Sequence, residues 1–180
     1  MNKLDTLQTL ENYSPWDTED TAFKIRCLEL VHNYADFYKR SLEIGHLTGS
    51  AWIVNADRNK IVLVHHLKLG RWLQPGGHTE EGDPSIFHAA LREAREETGL
   101  QSIRALSDRI YDMDIHLIPA WGSTPAHEHY DIRYIFEADE HETLQLSAES
   151  KALRWFSPDE IRAMTQERSL LRMLEKMEDF

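Results

Sequence analysis

The sequence predicts a single α/β (α+β) domain, in which strands and helices alternate along 180 residues. A chain of this length can enclose one hydrophobic core and is short for two. Its composition, with 41% hydrophobic and 28% charged residues, is that of an ordinary globular protein. β-rich runs stand on both sides of an acidic helical segment, which indicates a mixed α and β architecture.

The first 44 residues are predicted to be helical. Apolar residues between Asp17 and Tyr38 recur with the period of about 3.6 that a helix requires, and Ser14-Pro15 interrupts the pattern before them. Gly45 marks the expected end of this helical segment.

Four strands are predicted from β-rich runs. Residues 47–54 and 61–64 are joined by a polar turn and are expected to form a hairpin. Two further strands, at residues 111–118 and 129–137, are separated by the turn-rich segment 119–125.

The C-terminal region is expected to form a pair of helices. Ser157 is followed by Pro158 and, three positions after the serine, by Glu160, which is the pattern of a capping box at a helix N-terminus.

The charge and cysteine content restrict the class of protein. The formal net charge of −11 disfavours long nucleic acid and anionic membranes as partners, so a phosphate-bearing ligand would need a local basic patch or a bound cation. The sequence shows neither a signal peptide nor an apolar run of membrane-spanning length. Cys27, the single cysteine, cannot form an internal disulfide, and the cytoplasm is the default location.

An acidic helix is predicted between Asp83, as N-cap residue, and Gly99, at the left-handed C′ position, with Pro84 in the first turn. At 100° per residue, three carboxylates of this helix fall on one face and apolar residues fall roughly opposite. The acidic face carries Glu93, Glu96 and Glu97.

Like charges at this spacing repel, and negative charge is disfavoured in the last turn of a helix. A cation would remove both conflicts, and a ligand set made of carboxylates suits Mg²⁺ or Mn²⁺ better than Zn²⁺. The alternative is a solvated acidic face with Arg92 and Arg95 as intrahelical partners.

The residues around this helix resemble the Nudix box. In that motif a glycine, an acid and the block Arg-Glu-apolar-x-Glu-Glu-x-Gly-apolar form a loop, a helix and a loop. The nine residues REAREETGL, from Arg92 to Leu100, match the block at every defined position, and Gly77 matches the glycine. The acid is Asp83 rather than Glu, and eight residues instead of seven separate it from Arg92, which leaves the usual acid–arginine ion pair open.

The resemblance continues through Trp72 to Gly77 ahead of the box and Trp155 to Pro158 after the last strand. It implies a Nudix-type α/β/α sandwich with a mixed sheet. On this basis we expect one Nudix domain over residues 1–180, with a helical extension at 1–44, the core at 45–165 and a C-terminal helix at 166–180.

The resemblance implies a hydrolase that cleaves the pyrophosphate bond of a small nucleotide, either a nucleoside diphosphate derivative or a nucleoside triphosphate, with Mg²⁺ or Mn²⁺. Two alternatives are a non-catalytic nucleotide-sensing domain and an RNA 5′-end pyrophosphohydrolase. A homodimer is left open. The isomerases built on this fold use a catalytic cysteine, and Cys27 lies far ahead of the box.

By position, Glu93, Glu96 and Glu97 are implied as catalytic metal ligands, together with the carbonyl of Gly77, and Arg92 is implied as an organising residue of the catalytic site. Glu149, in a loop before the last strand, is a candidate catalytic base or additional ligand, and an exposed loop glutamate is the other interpretation.

Two further groups are candidates for substrate binding. One is a polar face on and just before the predicted strands 111–118 and 129–137, whose alternation is typical of the solvated or hydrogen-bonded surface of a hairpin, with substrate contacts or a second site for Zn²⁺ or Mn²⁺ as the other interpretations. The other is a short basic cluster before the Pro-Gly-Gly turn, where ordinary surface charge is the alternative. The candidates are His116, His127, His129 and Asp131 in the first group and Lys68 and Arg71 in the second.

Overall fold

An eight-stranded mixed sheet lies between helices in the computed structural model, which describes residues 1–120, 122, 124–148 and 150–179. The strands are β1 (Gly45–Val54), β2 (Ile61–His66), β3 (Trp72–Leu73), β4 (Gly76–His78), β5 (Arg104–Ala105), β6 (Asp112–Ile118), β7 (His127–Glu137) and β8 (Ser150–Phe156). The described helices are α1 (Lys3–Glu11), α2 (Thr18–Asn33), α3 (Ile86–Thr98), α4 (Pro158–Met164) and α5 (Arg168–Glu178). The predicted α/β (α+β) class is confirmed.

Strand β1 is the centre of the sheet. It pairs with β7 in parallel along its full length, with β4 antiparallel at residues 48–50, and with β2 antiparallel through the predicted hairpin, where Val54 faces Ile61. β6 and β5 continue the sheet from β7, and β3 and β8 continue it from β2. The first half of β7 therefore lies between the first half of β1 and the whole of β6, and β4 adjoins the middle of β1.

Both faces of β1 are buried, and its alternating side chains enter two different cores. Ala51 and Ile53 pack with α2 and α3, whereas Trp52 and Val54 pack with α4 and α5. This arrangement gives the three layers of an α/β/α sandwich.

Helix α3 lies very close to β1. A Cβ atom on Gly49 would lie 2.8 Å from the carbonyl oxygen of Ile86 and 3.0 Å from the amide nitrogen of Ala90. Glycine at this position lets the apolar side of α3 rest directly on the strand, with Ala90 and Ala94 fully buried. The acidic side of the helix consequently faces β4, where Glu97 and Glu93 reach Gly76 and Gly77.

The N-terminal helices belong to the main core, because Leu10, Cys27 and Val31 are fully buried in the same apolar cluster as β1 and β7. The predicted helical extension is only partly correct: α2 ends at Asn33, and residues 34–44 form turns before Gly45 opens β1. Aromatic residues such as Phe37 fit a helical spacing in sequence, but they are buried from a turn.

The two ends of α3 illustrate one correct and one wrong prediction. Gly99 is the left-handed C-cap, with φ 74°, as expected. The N-cap is Ser85, whose hydroxyl accepts a hydrogen bond from the amide of His88, and not Asp83.

At the C-terminal pair of helices the predicted capping box is present, with Ser157 and Glu160 satisfying each other's backbone amides. None of the described helices is both long and apolar enough to cross a membrane.

Candidate active site

A cleft of about 690 Å³ opens beside the acidic face of α3. Its walls come from α3, from β4 and its preceding turn, and from the neighbouring ends of β1, β6 and β7. All three predicted glutamates, Glu93, Glu96 and Glu97, line this cleft together with Gly77. The structure thus brings together the four groups that the sequence predicted as metal ligands.

The three carboxylates differ in how far they are removed from water. Glu97 is buried at 7% relative exposure, and its Oε2 accepts a hydrogen bond of 2.9 Å from the amide of Gly76. The Glu93 side chain is 17% exposed, and that of Glu96, at the mouth of the cleft, is 59% exposed. Because burial removes a carboxylate from its hydrating water, a cation bound at Glu97 and Glu93 would replace the most lost hydration, in addition to the contacts these side chains already make.

Arg92 organises this acidic face. Its Nη1 lies 3.0 Å from Glu93 Oε1 and 3.1 Å from Glu96 Oε2, and its Nη2 donates to the carbonyl oxygen of His78 at 2.8 Å. The intrahelical pairing considered as the alternative therefore occurs for Glu93 and Glu96. A single guanidinium shared between these carboxylates holds them at the cleft.

The ion pair between Asp83 and Arg92 forms despite the longer spacer. Arg92 Nε lies 3.2 Å from Asp83 Oδ1 and Nη2 lies 2.9 Å from Oδ2, a two-pronged contact. Burial alone would raise the pKa of Asp83, but the bonds from Arg92 and from the amide of Glu80 outweigh it and lower the pKa. The extra residue is absorbed because the helix begins at Ile86, leaving Asp83 in the loop.

Gly77 leaves room for the carboxylate of Glu93. A Cβ atom at this glycine would lie between 2.6 and 2.8 Å from the three carboxyl atoms of Glu93, closer than any ordinary contact. The backbone of β4 and the Glu93 side chain thus approach each other directly. Close approach of a carboxylate to this backbone is what a shared cation would require, so the residues present fit the metal that the resemblance implied.

Asp131 and Arg133 form the floor of the cleft. Asp131 is 2% exposed and accepts hydrogen bonds from Thr48, Ser50, Gln74 and Arg133 at distances of 2.7 to 3.1 Å. The predicted role of Asp131 in substrate binding remains a prediction, and in this structure its carboxylate positions other polar groups that line the cleft.

The remaining substrate-binding candidates are divided between the cleft and its surroundings. His116, His129 and Arg71 line the cleft, and Arg71 is paired with Glu167 at 2.6 Å. His127 and the exposed Lys68 are not among the described residues that line it. Glu149 lies outside the described residues.

Sequence reasoning missed four polar residues at or beside the cleft. Arg40 and His78 line it, Gln74 donates to Asp131, and His46 is fully buried at the start of β1. A usable signal was present for His46, because His46, Thr48 and Ser50 alternate with apolar or small residues as on one face of a strand. Arg40 lies in the turns after α2, a segment that was wrongly predicted to be helical.

Known proteins with the same layered fold and a cleft beside an acidic helix show which family this chain belongs to. A model of the NUDIX domain matches residues 46–176, so the chain belongs to the Nudix family. A curated relative, the "Uncharacterized Nudix hydrolase YvcI" of Bacillus subtilis, is 27% identical over 108 residues, which make up 57% of this chain and 61% of the relative. The chain thus spans about three fifths of the length of that relative.

Solved Nudix structures share the fold. A NUDIX-family hydrolase from Clostridium perfringens is 26% identical with a TM-score of 0.53, covering 74% of this chain and 96% of that one. The C. elegans Ap4A hydrolase binary complex is 17% identical with a TM-score of 0.59, over 74% and 96% of the two chains. The NUDIX domain of Shewanella oneidensis NrtR complexed with ADP ribose is 19% identical with a TM-score of 0.53, over 84% and 96%. The last two show similarity of fold alone.

Proposed function

We propose that this protein is a metal-dependent hydrolase that cleaves the pyrophosphate bond of a nucleoside diphosphate derivative or a nucleoside triphosphate. The observation that carries the proposal is the convergence of Glu93, Glu96 and Glu97 with Gly77 on one cleft. Membership of the Nudix family and relatives named as hydrolases support the broad class, a hydrolase of phosphorus-containing anhydrides.

Glu93, Glu96, Glu97 and the carbonyl of Gly77 would hold Mg²⁺ or Mn²⁺. Such ions supply positive charge against phosphate oxygens and make nearby water more acidic. Arg92 fixes Glu93 and Glu96 through its hydrogen bonds, and the Asp83 ion pair fixes Arg92 in turn. Glu93, next to the backbone of β4, would accept the proton of an attacking water, with Glu149 as the alternative base.

Cationic side chains around the cleft would bind the remaining substrate charge. Arg40 and Arg71 line it and are exposed, whereas Arg133 is buried at its floor. The net charge of −11 favours a small nucleotide over long RNA. We propose that the protein acts in the cytoplasm. A homodimer is the open alternative to a monomer.

The nucleotide-sensing alternative is less well supported. The structural similarity to the NrtR domain is limited to the fold, and a sensor has no need of three carboxylates held by an arginine at a cleft. Cys27 is fully buried and its thiol pKa is raised by burial, so it offers no cysteine chemistry at this site.

A substrate panel tests the proposed function. Nucleoside triphosphates, nucleotide sugars, dinucleoside polyphosphates and capped RNA would be incubated with the protein and Mg²⁺ or Mn²⁺, and the products separated by ion-exchange chromatography. We expect at least one small nucleotide to be split at its pyrophosphate linkage only when a divalent ion is present. Nucleotide binding without hydrolysis across the panel would contradict the proposal and support a sensor.

The Gly77→Ala variant should lose roughly 10²-fold in kcat, because the added methyl group must displace the Glu93 carboxylate by a sizeable fraction of an ångström or more. Stability should change little, since the displaced group is the end of a flexible side chain. Gly82→Ala is the matched control, because a Cβ there meets nothing within 4 Å. Equal activity of the two variants would show that the Gly77–Glu93 approach is unimportant.

A further inference from the structure

A cluster of histidines lies beside the cleft, where the first residues of β1 and β7 meet. The parallel register places His46 directly opposite His129, so both rings stand on the same face, and His127 precedes His129 by two residues on that face. The three ring centroids form a nearly equilateral triangle, with separations of 5.0, 5.1 and 5.2 Å. One ring nitrogen from each histidine lies within 4.8 Å of the other two.

Three buried ring nitrogens of this cluster, two on His46 and one on His129, have no hydrogen-bond partner among the described residues. His46 is 0% exposed, and neither of its ring nitrogens makes a hydrogen bond within the described structure, although a backbone group of Leu42 lies near enough to favour the protonated ring. Nε2 of His129 is likewise buried without a partner among the described residues. A buried imidazole without partners is costly, so this arrangement points to a group that is bound between the rings.

The third histidine is already oriented for such a group. Nδ1 of His127 lies 2.9 Å from the carbonyl oxygen of Pro125, which can only accept, so Nδ1 carries the proton and Nε2 keeps its lone pair. A backbone carbonyl that fixes the tautomer in this way is the usual outer contact of a metal-binding histidine.

The electrostatics of the cluster favour a cation over an anion. Three imidazole rings whose centroids lie 5.0 to 5.2 Å apart, around a His46 ring that is 0% exposed, disfavour the protonated form of one another. Neutral imidazoles bind metal ions but attract phosphate poorly. Asp131, the carboxylate on the same face of β7, is already held by Thr48, Ser50 and Arg133.

We propose that His46, His127 and His129 form a binding site for Zn²⁺, separate from the carboxylate site on α3. Three imidazole ligands suit Zn²⁺, whereas the oxygen ligands of Glu93, Glu96 and Glu97 suit Mg²⁺ or Mn²⁺. A zinc ion held by three imidazoles would leave a position for water or a bound ligand. His78, which lines the cleft, adjoins the cluster, with its ring centroid 5.1 Å from that of His46 and 4.9 Å from that of His129.

A zinc ion at this position would serve two purposes. It would link the first residues of β1 and β7 through coordinate bonds, and it would add positive charge beside the cleft that His129 lines. The existence of the site does not depend on the proposed hydrolysis, whereas a contribution of the zinc to substrate binding does.

The test uses the full-length, untagged protein, freed of metal with a chelator and titrated with Co²⁺ and Zn²⁺. We expect the visible absorption of Co²⁺ bound to histidine nitrogens, its displacement by one equivalent of Zn²⁺, and a rise in melting temperature with Zn²⁺. Since loss of an outer partner alone weakens metal binding by about 10- to 100-fold, His127→Asn and His46→Leu should each weaken Zn²⁺ binding by at least about 100-fold.

The controls separate this site from the others. His141→Asn changes an exposed histidine outside the cluster and should bind Zn²⁺ as the wild type does. Glu97→Gln should also retain Zn²⁺, whether or not the protein hydrolyses nucleotides. The proposal is overturned if the wild type fails to bind Zn²⁺, if His127→Asn and His46→Leu bind it undiminished, or if Glu97→Gln abolishes binding.

Discussion

Replacement of Glu97 by Gln is expected to lower kcat by roughly 10²–10⁴-fold on the substrate identified by the panel. Glutamine keeps the shape of the side chain and an oxygen that can accept the hydrogen bond from Gly76, which Glu97 receives at 2.9 Å. It removes the negative charge that a divalent ion requires at the most buried of the three carboxylates. The loss should therefore appear in catalysis and metal dependence, while the melting temperature stays close to that of the wild type.

Glu178→Gln is the control for this experiment, because it makes the same chemical change on α5, where Glu178 is 65% exposed and pairs with Arg162. Its kcat should equal that of the wild type. Full activity in Glu97→Gln, with the fold intact, would show that the catalytic site lies elsewhere.

Replacement of Arg133 by Met is expected to reduce the free energy of unfolding by about 3–5 kcal/mol, because it removes one partner from a buried ion cluster. Arg133 is 1% exposed and contacts Asp112 and Asp131 at 2.8 Å and Asp114 at 3.2 Å. Methionine fills part of the same volume but leaves these carboxylates with less positive charge. Urea unfolding followed by circular dichroism would measure the change.

The matched control is Arg162→Met. Arg162 pairs with Asp159 and Glu178, but all three side chains are largely exposed, so removing these pairs should cost less than about 1 kcal/mol. Similar losses in the two variants would mean that burial adds little to the ion cluster around Arg133.

Local patterns in the sequence were sufficient to predict α3 and the convergence of its three glutamates on one face. The carboxylates at positions 93, 96 and 97 share a face because of helical geometry alone, and Gly99 ends the helix because it can adopt a positive φ. The N-cap was predicted two residues early because Asp83 and Ser85 are both good capping residues. The choice between them depends on Arg92, which draws Asp83 into an ion pair nine residues away.

The histidine cluster could not be assembled from sequence alone. His127 and His129 were visible as alternating residues of one strand, but His46 joins them only through the parallel pairing of β1 with β7 across more than 80 residues. Pairing between distant strands is set by the packing of the whole sheet and leaves little trace in local periodicity. The buried ion cluster of Arg133 with Asp112 and Asp131 was not predicted either, because alternation along β6 and β7 does not show that this polar face is buried.

Binding of Mn²⁺, measured by electron paramagnetic resonance on the full-length protein, tests the central claim most directly: that the acidic face of α3 is a divalent-cation site. The wild type and His127→Asn should bind Mn²⁺ with similar affinity, whereas a Glu93→Gln, Glu97→Gln double variant should bind it at least about 100-fold more weakly. Undiminished Mn²⁺ binding by the folded double variant would contradict the assignment of the metal site to α3.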